Sequence, residues 1–131
     1  MGFKIDLEVA GSDLDVRVKY DDPTLQGKAA FTLREDGISV GMTQSGKPVF
    51  VRIRGAQNFD SYVASLMNRI PALLSGKETL DATERKRLVS FATQKMGNVV
   101  RKHIERQMND LKNIEHHDME NADLEVHGAS V

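Results

Sequence analysis

The sequence predicts an α+β fold: an N-terminal antiparallel β-meander of about five strands, followed by a short amphipathic helix and one long C-terminal helix. Three observations carry this expectation. Apolar and polar residues alternate through residues 1–57, which is the period of a half-buried strand. Near residues 55–58 the apolar spacing lengthens to that of a helix. After Asp81 the helical spacing runs on to about Met119. We read the 131 residues as one domain, with the sheet in 1–57 and the helical part in 58–131.

Phe3, Ile5, Leu7 and Val9 alternate with Lys4, Asp6 and Glu8, and Leu14, Val16, Val18 and Tyr20 repeat the pattern after Gly11-Ser12-Asp13. The two runs predict a hairpin. Asp21-Asp22-Pro23 breaks the chain. Ala29, Phe31 and Leu33 then lead to Glu35-Asp36-Gly37, where glycine supplies the positive φ of a hairpin turn. Ile38, Val40 and Met42 form the return strand, and Val49, Val51 and Ile53 the fifth, beyond a loop at 44–48. Such a sheet is expected to be wet on one face.

Phe59, Tyr62, Val63, Leu66, Met67, Ile70, Leu73 and Leu74 fall at helical spacing, with Asn58 or Asp60 as cap. Pro71 should bend or restart this element, since proline lacks the N–H that a helix interior needs. Its apolar side is expected to cover the dry face of the sheet.

The long helix opens with Asp81 and Glu84 in capping-box spacing. Its apolar stripe runs Val89, Ala92, Met96, Val100, Ile104, Gln107, Leu111 and Ile114, staying on one side of a nearly straight helix. A strict 3.5-residue repeat is absent, which argues against a left-handed coiled coil. Gly97 is the weak point, at a cost of about 1 kcal/mol, but the stripe keeps its phase across it. The helix would reach about 55–60 Å, against about 36 Å for a compact domain of this length. It should therefore overhang, and an overhanging stripe needs cover. The expected interface is Val89, Ala92, Met96, Val100, Ile104, Leu111 and Ile114, covered by a second copy or by a protein partner.

Charge along the helix is lopsided. Arg85, Lys86, Arg87, Lys95, Arg101, Lys102 and Arg106 face only Glu105, whereas beyond Gln107 Lys112 stands against Asp110, Glu115, Asp118, Glu120, Asp123 and Glu125. The helix macrodipole favours the opposite order. Antiparallel pairing of two copies would place each basic half beside an acidic one, which suits a dimer or a multiple of a dimer. Two independently solvated patches are the plainer alternative.

Composition excludes several classes. The absence of cysteine rules out disulfides, thiolate ligands and a cysteine nucleophile. No apolar run approaches 18 residues and no signal peptide is visible, so no membrane association is expected. A cytoplasmic location is the simplest, either in a host cytoplasm or in a virion if the protein is phage-encoded. The net charge of −1 exerts no global pull on nucleic acid.

Two motif-like stretches fail on inspection. The glycine skeleton at 41–47 resembles a phosphate-binding loop, but Pro48 replaces the Mg²⁺-binding hydroxyl and a strand follows instead of a helix. His116 and Glu120 have i, i+4 spacing within Glu115, His116, His117 and Asp118, which supplies too few ligands for a metal site. No nucleophile elbow or acid–base pair is visible, so an enzyme, a metal and a cofactor are not expected.

The best ligand candidates are basic. Phe50, Arg52 and Arg54 share a strand face, where an aromatic flanked by guanidiniums can stack a base and pair with a phosphate. Arg85, Arg87, Arg101, Lys102 and Arg106 would add a second anion-binding surface. The leading expectation is a non-enzymatic, self-associating interaction protein, structural or inhibitory, of the kind found among small phage or bacterial accessory proteins. That analogy rests on shape. The alternative is a binding module for a nucleotide or short nucleic acid.

Overall fold

Alternating residues become five antiparallel strands: β1 (Gly2–Ala10), β2 (Asp13–Asp21), β3 (Phe31–Glu35), β4 (Ile38–Met42) and β5 (Pro48–Ile53). Their order across the sheet is β1-β2-β5-β4-β3. The computed structural model describes residues 2–22 and 28–126, with side chains through residue 112. The five strands, the short helical segment and the long helix form the expected α+β arrangement.

The strand order is not that of a continuous meander. β3, β4 and β5 do follow one another as neighbours, but β5, rather than β3, lies against β2. Burial follows this order: Val49, Val51 and Ile53 of the central strand are all buried, whereas the edge strand β3 buries only Leu33. One row of side chains, Ile5-Val18-Val51-Val40-Leu33, crosses all five strands on the core face. The β3–β4 connection has positive φ at both Asp36 and Gly37, as a two-residue hairpin of the favoured handedness requires.

A 3-10 turn (Ala56–Asn58) follows β5 and is tied to the first hairpin by Gln57. Its Oε1 accepts from the Leu14 N–H at 2.9 Å, and its Nε2 donates to Asp13 Oδ1 at 2.9 Å. Helix α1 (Ser61–Leu66) is capped by Asp60, whose Oδ2 accepts from the Val63 N–H. A 3-10 turn (Met67–Arg69) leads into α2 (Ile70–Leu74), which restarts with Pro71 in its first turn. Val63, Leu66 and Ile70 are the buried residues of this segment.

Helix α3 (Ala82–Val126) passes through Gly97 without a break. The chain divides into two compact units, Met1–Val99 and Val100–Val131, and α3 contributes to both. Within the first unit it buries Leu88, Phe91, Ala92 and Val99. This corrects the expected interface at one end. Ala92 is fully enclosed by its own chain, and Val89, Met96 and Val100 are half-buried. The apolar arc is wide enough for adjacent residues to compete, and the core took Leu88 over Val89 and Val99 over Val100.

Candidate functional site

Three surfaces concentrate chemistry or unfilled contact area. The first lies on α3 beyond residue 99. Ile104, Met108 and Leu111 are 48%, 54% and 59% exposed, at i, i+4 and i+7, so they form one apolar stripe. Arg101 Nε lies 3.9 Å from Glu105 Oε1 one turn on. Met108 was missed from sequence because Gln107 kept a smoother phase. Ile114 lies outside the described side chains.

The second surface is the outer face of the sheet. Strand register places Asp6, Arg17, Arg52, Ser39 and Arg34 in one row across β1, β2, β5, β4 and β3. The adjacent row holds Lys4, Lys19, Phe50, Gly41 and Thr32. Phe50 lies so close over Gly41 that a Cβ there would overlap its ring, and the Arg17 guanidinium sits 4.9 Å from the ring centroid. The expected aromatic is therefore already stacked within the chain.

Arg52 is also engaged. Its Nη2 donates to Asp15 Oδ2 at 3.0 Å, and Asp15, only 5% exposed, accepts from the Gly55 N–H at 3.3 Å. A buried carboxylate requires a charged partner. Arg52 is thus structural as well as basic, a role that strand alternation alone does not reveal. Arg54 follows the end of β5 and is exposed. Arg17, Lys19 and Arg34 join this face only through the register, which no local signal in their own strands reveals.

The bases of α3 are dispersed among internal partners. Arg85 Nη2 donates to the Phe3 carbonyl at 3.4 Å. The Arg87 guanidinium lies 4.3 Å over the Tyr62 ring, and Lys95 Nζ 5.2 Å over Phe59. Lys102 is half-buried, Arg106 is exposed, and both make further interactions. Arg85 and Arg87 thus face β1 and α1 respectively.

The third cluster centres on Glu84 at the start of α3. The capping box forms as expected: the Glu84 N–H donates to Asp81 Oδ1 at 2.8 Å and the Asp81 N–H to Glu84 Oε1 at 3.3 Å. Arg69 donates to both Glu84 oxygens, and the Tyr62 hydroxyl donates to Oε2 at 3.0 Å. Arg69 Nε also lies 3.5 Å from Glu78 Oε1. These donors, Arg69 foremost, hold the Glu84 carboxyl down at about 2. Burial, and then the Glu84 hydrogen bond, push the Tyr62 phenol up to about 12. The Glu84 bond holds Arg69 above its already high value. With its acceptors taken, Glu84 is a clamp between α1, the 3-10 turn that leads into α2, and α3.

The 41–47 loop is a tight strand connection. The Thr43 N–H donates to the Lys47 carbonyl at 2.8 Å, and Thr43 Oγ1 accepts from the Lys47 N–H at 2.9 Å. Among the described residues no group of three or more metal-ligating side chains comes together. The stretch with His116, His117 and Glu120 lies outside the described side chains. No described helix is long and apolar enough to cross a membrane. No family model, curated protein or solved structure matches the chain.

Proposed function

We propose that this is a non-enzymatic, self-associating interaction protein whose contact surface is the distal part of α3. The observation that carries the reading is the stripe of Ile104, Met108 and Leu111, each about half exposed or more. Contiguous apolar surface of this kind is usually covered by a partner. The charge order supports a second copy as that partner, because antiparallel helices bring Arg101 and Lys102 of one chain toward the acidic stretch beyond Gln107 of the other. The role we propose for it is a structural or inhibitory accessory one, in a cell or a virion.

Ile104→Asp tests this by sedimentation velocity. The variant should lose the helix contact and run as a smaller species than the unsubstituted protein, with its melting temperature in dilute solution unchanged, since a charge buried in the contact is costly. An unchanged sedimentation coefficient would place the interface elsewhere. Raising ionic strength should weaken assembly only modestly, as exposed pairs contribute about 0–1 kcal/mol each.

A second reading, a module for an anionic polymer such as a short nucleic acid, is favoured by the two basic rows on the outer sheet face. Lys19→Glu with Arg34→Glu should abolish salt-dependent oligonucleotide binding. Arg52→Ala is a poor probe, because it strips Asp15 of its cation and should cost about 1–3 kcal/mol by itself.

A further inference from the structure

The sheet ends at β1, and beyond this nine-residue strand no further strand is paired among the described residues. β1 contains neither proline nor a bulge, two of the devices that blunt an edge. Its core-facing side chains are poorly covered: Phe3 is 42% and Val9 39% exposed, and Ile5 and Leu7 are only half-buried. A cleft of about 470 Å³, lined by Phe3, Ile5, Ala82, Arg85 and Val89 among others, opens beside it. Arg85 reaches the Phe3 carbonyl, so that group is turned to the open edge. By the two-residue period, Ile5 and Leu7 present their backbone groups the same way.

We propose that β1 pairs antiparallel with β1 of a second copy, in a register centred on Ile5. This extends the self-association reading but uses a surface separate from the stripe on α3. The register follows from charge. Centring on Ile5 sets Lys4 of each copy opposite Asp6 of the other, Phe3 opposite Leu7, and Ile5 opposite itself on the two-fold axis. Centring on Asp6 would instead bring two carboxylates face to face, which is destabilising. In the Ile5 register the carbonyl now reached by Arg85 accepts from a backbone N–H, and the second copy's Phe3, Ile5 and Leu7 extend the apolar face beside the cleft. A self-complementary contact of this kind closes into a dimer; with a second one on α3 it yields a closed tetramer or a filament.

The test uses disulfide trapping in an Ile104→Asp background, so that the helix contact does not contribute. The native chain has no cysteine. Residues directly opposite on a hydrogen-bonded pair lie about 5.5 Å apart, inside the ~4.4–6.8 Å range a disulfide spans. Ile5→Cys should give a covalent dimer on mild oxidation and Asp6→Cys should not. A mixture of Phe3→Cys and Leu7→Cys proteins should give the mixed dimer, a second reading of the same register if Ile5→Cys folds poorly. Adding Lys4→Glu should cut the yield about tenfold, because both symmetry-related pairs change sign, and Lys4→Glu with Asp6→Lys should restore it. Three results would overturn the proposal: no trapped dimer from either cysteine arm, trapping at Asp6→Cys as readily as at Ile5→Cys, or a yield indifferent to the charge exchange. The helix reading survives those failures, because the unsubstituted chain would still assemble through Ile104.

Discussion

Two stretches of α3 carry apolar residues at the same helical spacing and meet different fates. Between residues 82 and 99, Leu88, Phe91, Ala92 and Val99 are buried by their own chain. Between 100 and 112, Ile104, Met108 and Leu111 remain about half exposed or more. The first stretch is also anchored by charge and ring contacts, with Glu84 clamped to Arg69 and Tyr62, Arg87 stacked on Tyr62 and Tyr20 bonded to Met96. The second has the Arg101–Glu105 pair on its own surface. The same amphipathic pattern therefore serves intramolecular stability in one place and an unfilled surface in the other. Periodicity says which side of a helix is apolar; burial says what that side is for.

Truncation at matched positions should separate the two stretches most sharply. Leu88→Ala should cost about 2–5 kcal/mol of folding stability, the range for a large buried aliphatic residue. Ile104→Ala should cost less than about 1 kcal/mol in the monomer while weakening assembly. Urea denaturation at low protein concentration measures the first difference. Equal losses would mean that residue 104 is as much core as residue 88.

A smaller, pH-gated effect belongs to the Glu84 clamp. Its carboxyl ionises at about 2 in the folded chain against 4.5 ordinarily. The stability it adds is fully present above 4.5 and is lost as pH falls toward 2. Glu84→Gln should flatten that part of the stability–pH curve and leave the profile at neutral and mildly alkaline pH unchanged in shape. Tyr62, raised from 10.0 to about 12, works in the other sense: its contribution is lost as pH rises through that window, and Tyr62→Phe removes it.

The smallest effect is expected near the boundary between the stretches. Gly97 is exposed, its φ is not positive, and an added Cβ would meet nothing within 4 Å. Gly97→Ala should therefore stabilise the helix by about 0.5–1 kcal/mol. A loss of assembly without a loss of folding would instead show that a second helix packs closely at this point.

These contrasts mark where the sequence was readable. Strand positions followed from alternation, the Asp36-Gly37 hairpin from its turn chemistry, and the start of α3 from the Asp81–Glu84 box, because each is a local signal. The insertion of β5 beside β2 was not legible, since nothing within either strand names its neighbour. The partnership of Arg52 with Asp15 was hidden for the same reason: the residues are 37 positions apart, and only register brings them together. On α3, Leu88-Val89 and Val99-Val100 offer equivalent apolar neighbours, so the buried member of each pair depends on what packs against the helix. The rows containing Arg17, Lys19 and Arg34 likewise exist only once the strands are aligned.

The central claim is that the distal stripe of α3 is covered by a second copy, and the mass of the unmodified protein in solution tests it most directly. Sedimentation equilibrium across the micromolar range should give twice the 14.6 kDa chain mass, or an even multiple of it, with Ile104→Asp shifting the distribution to a lower mass. A value of 14.6 kDa at every concentration would contradict the account.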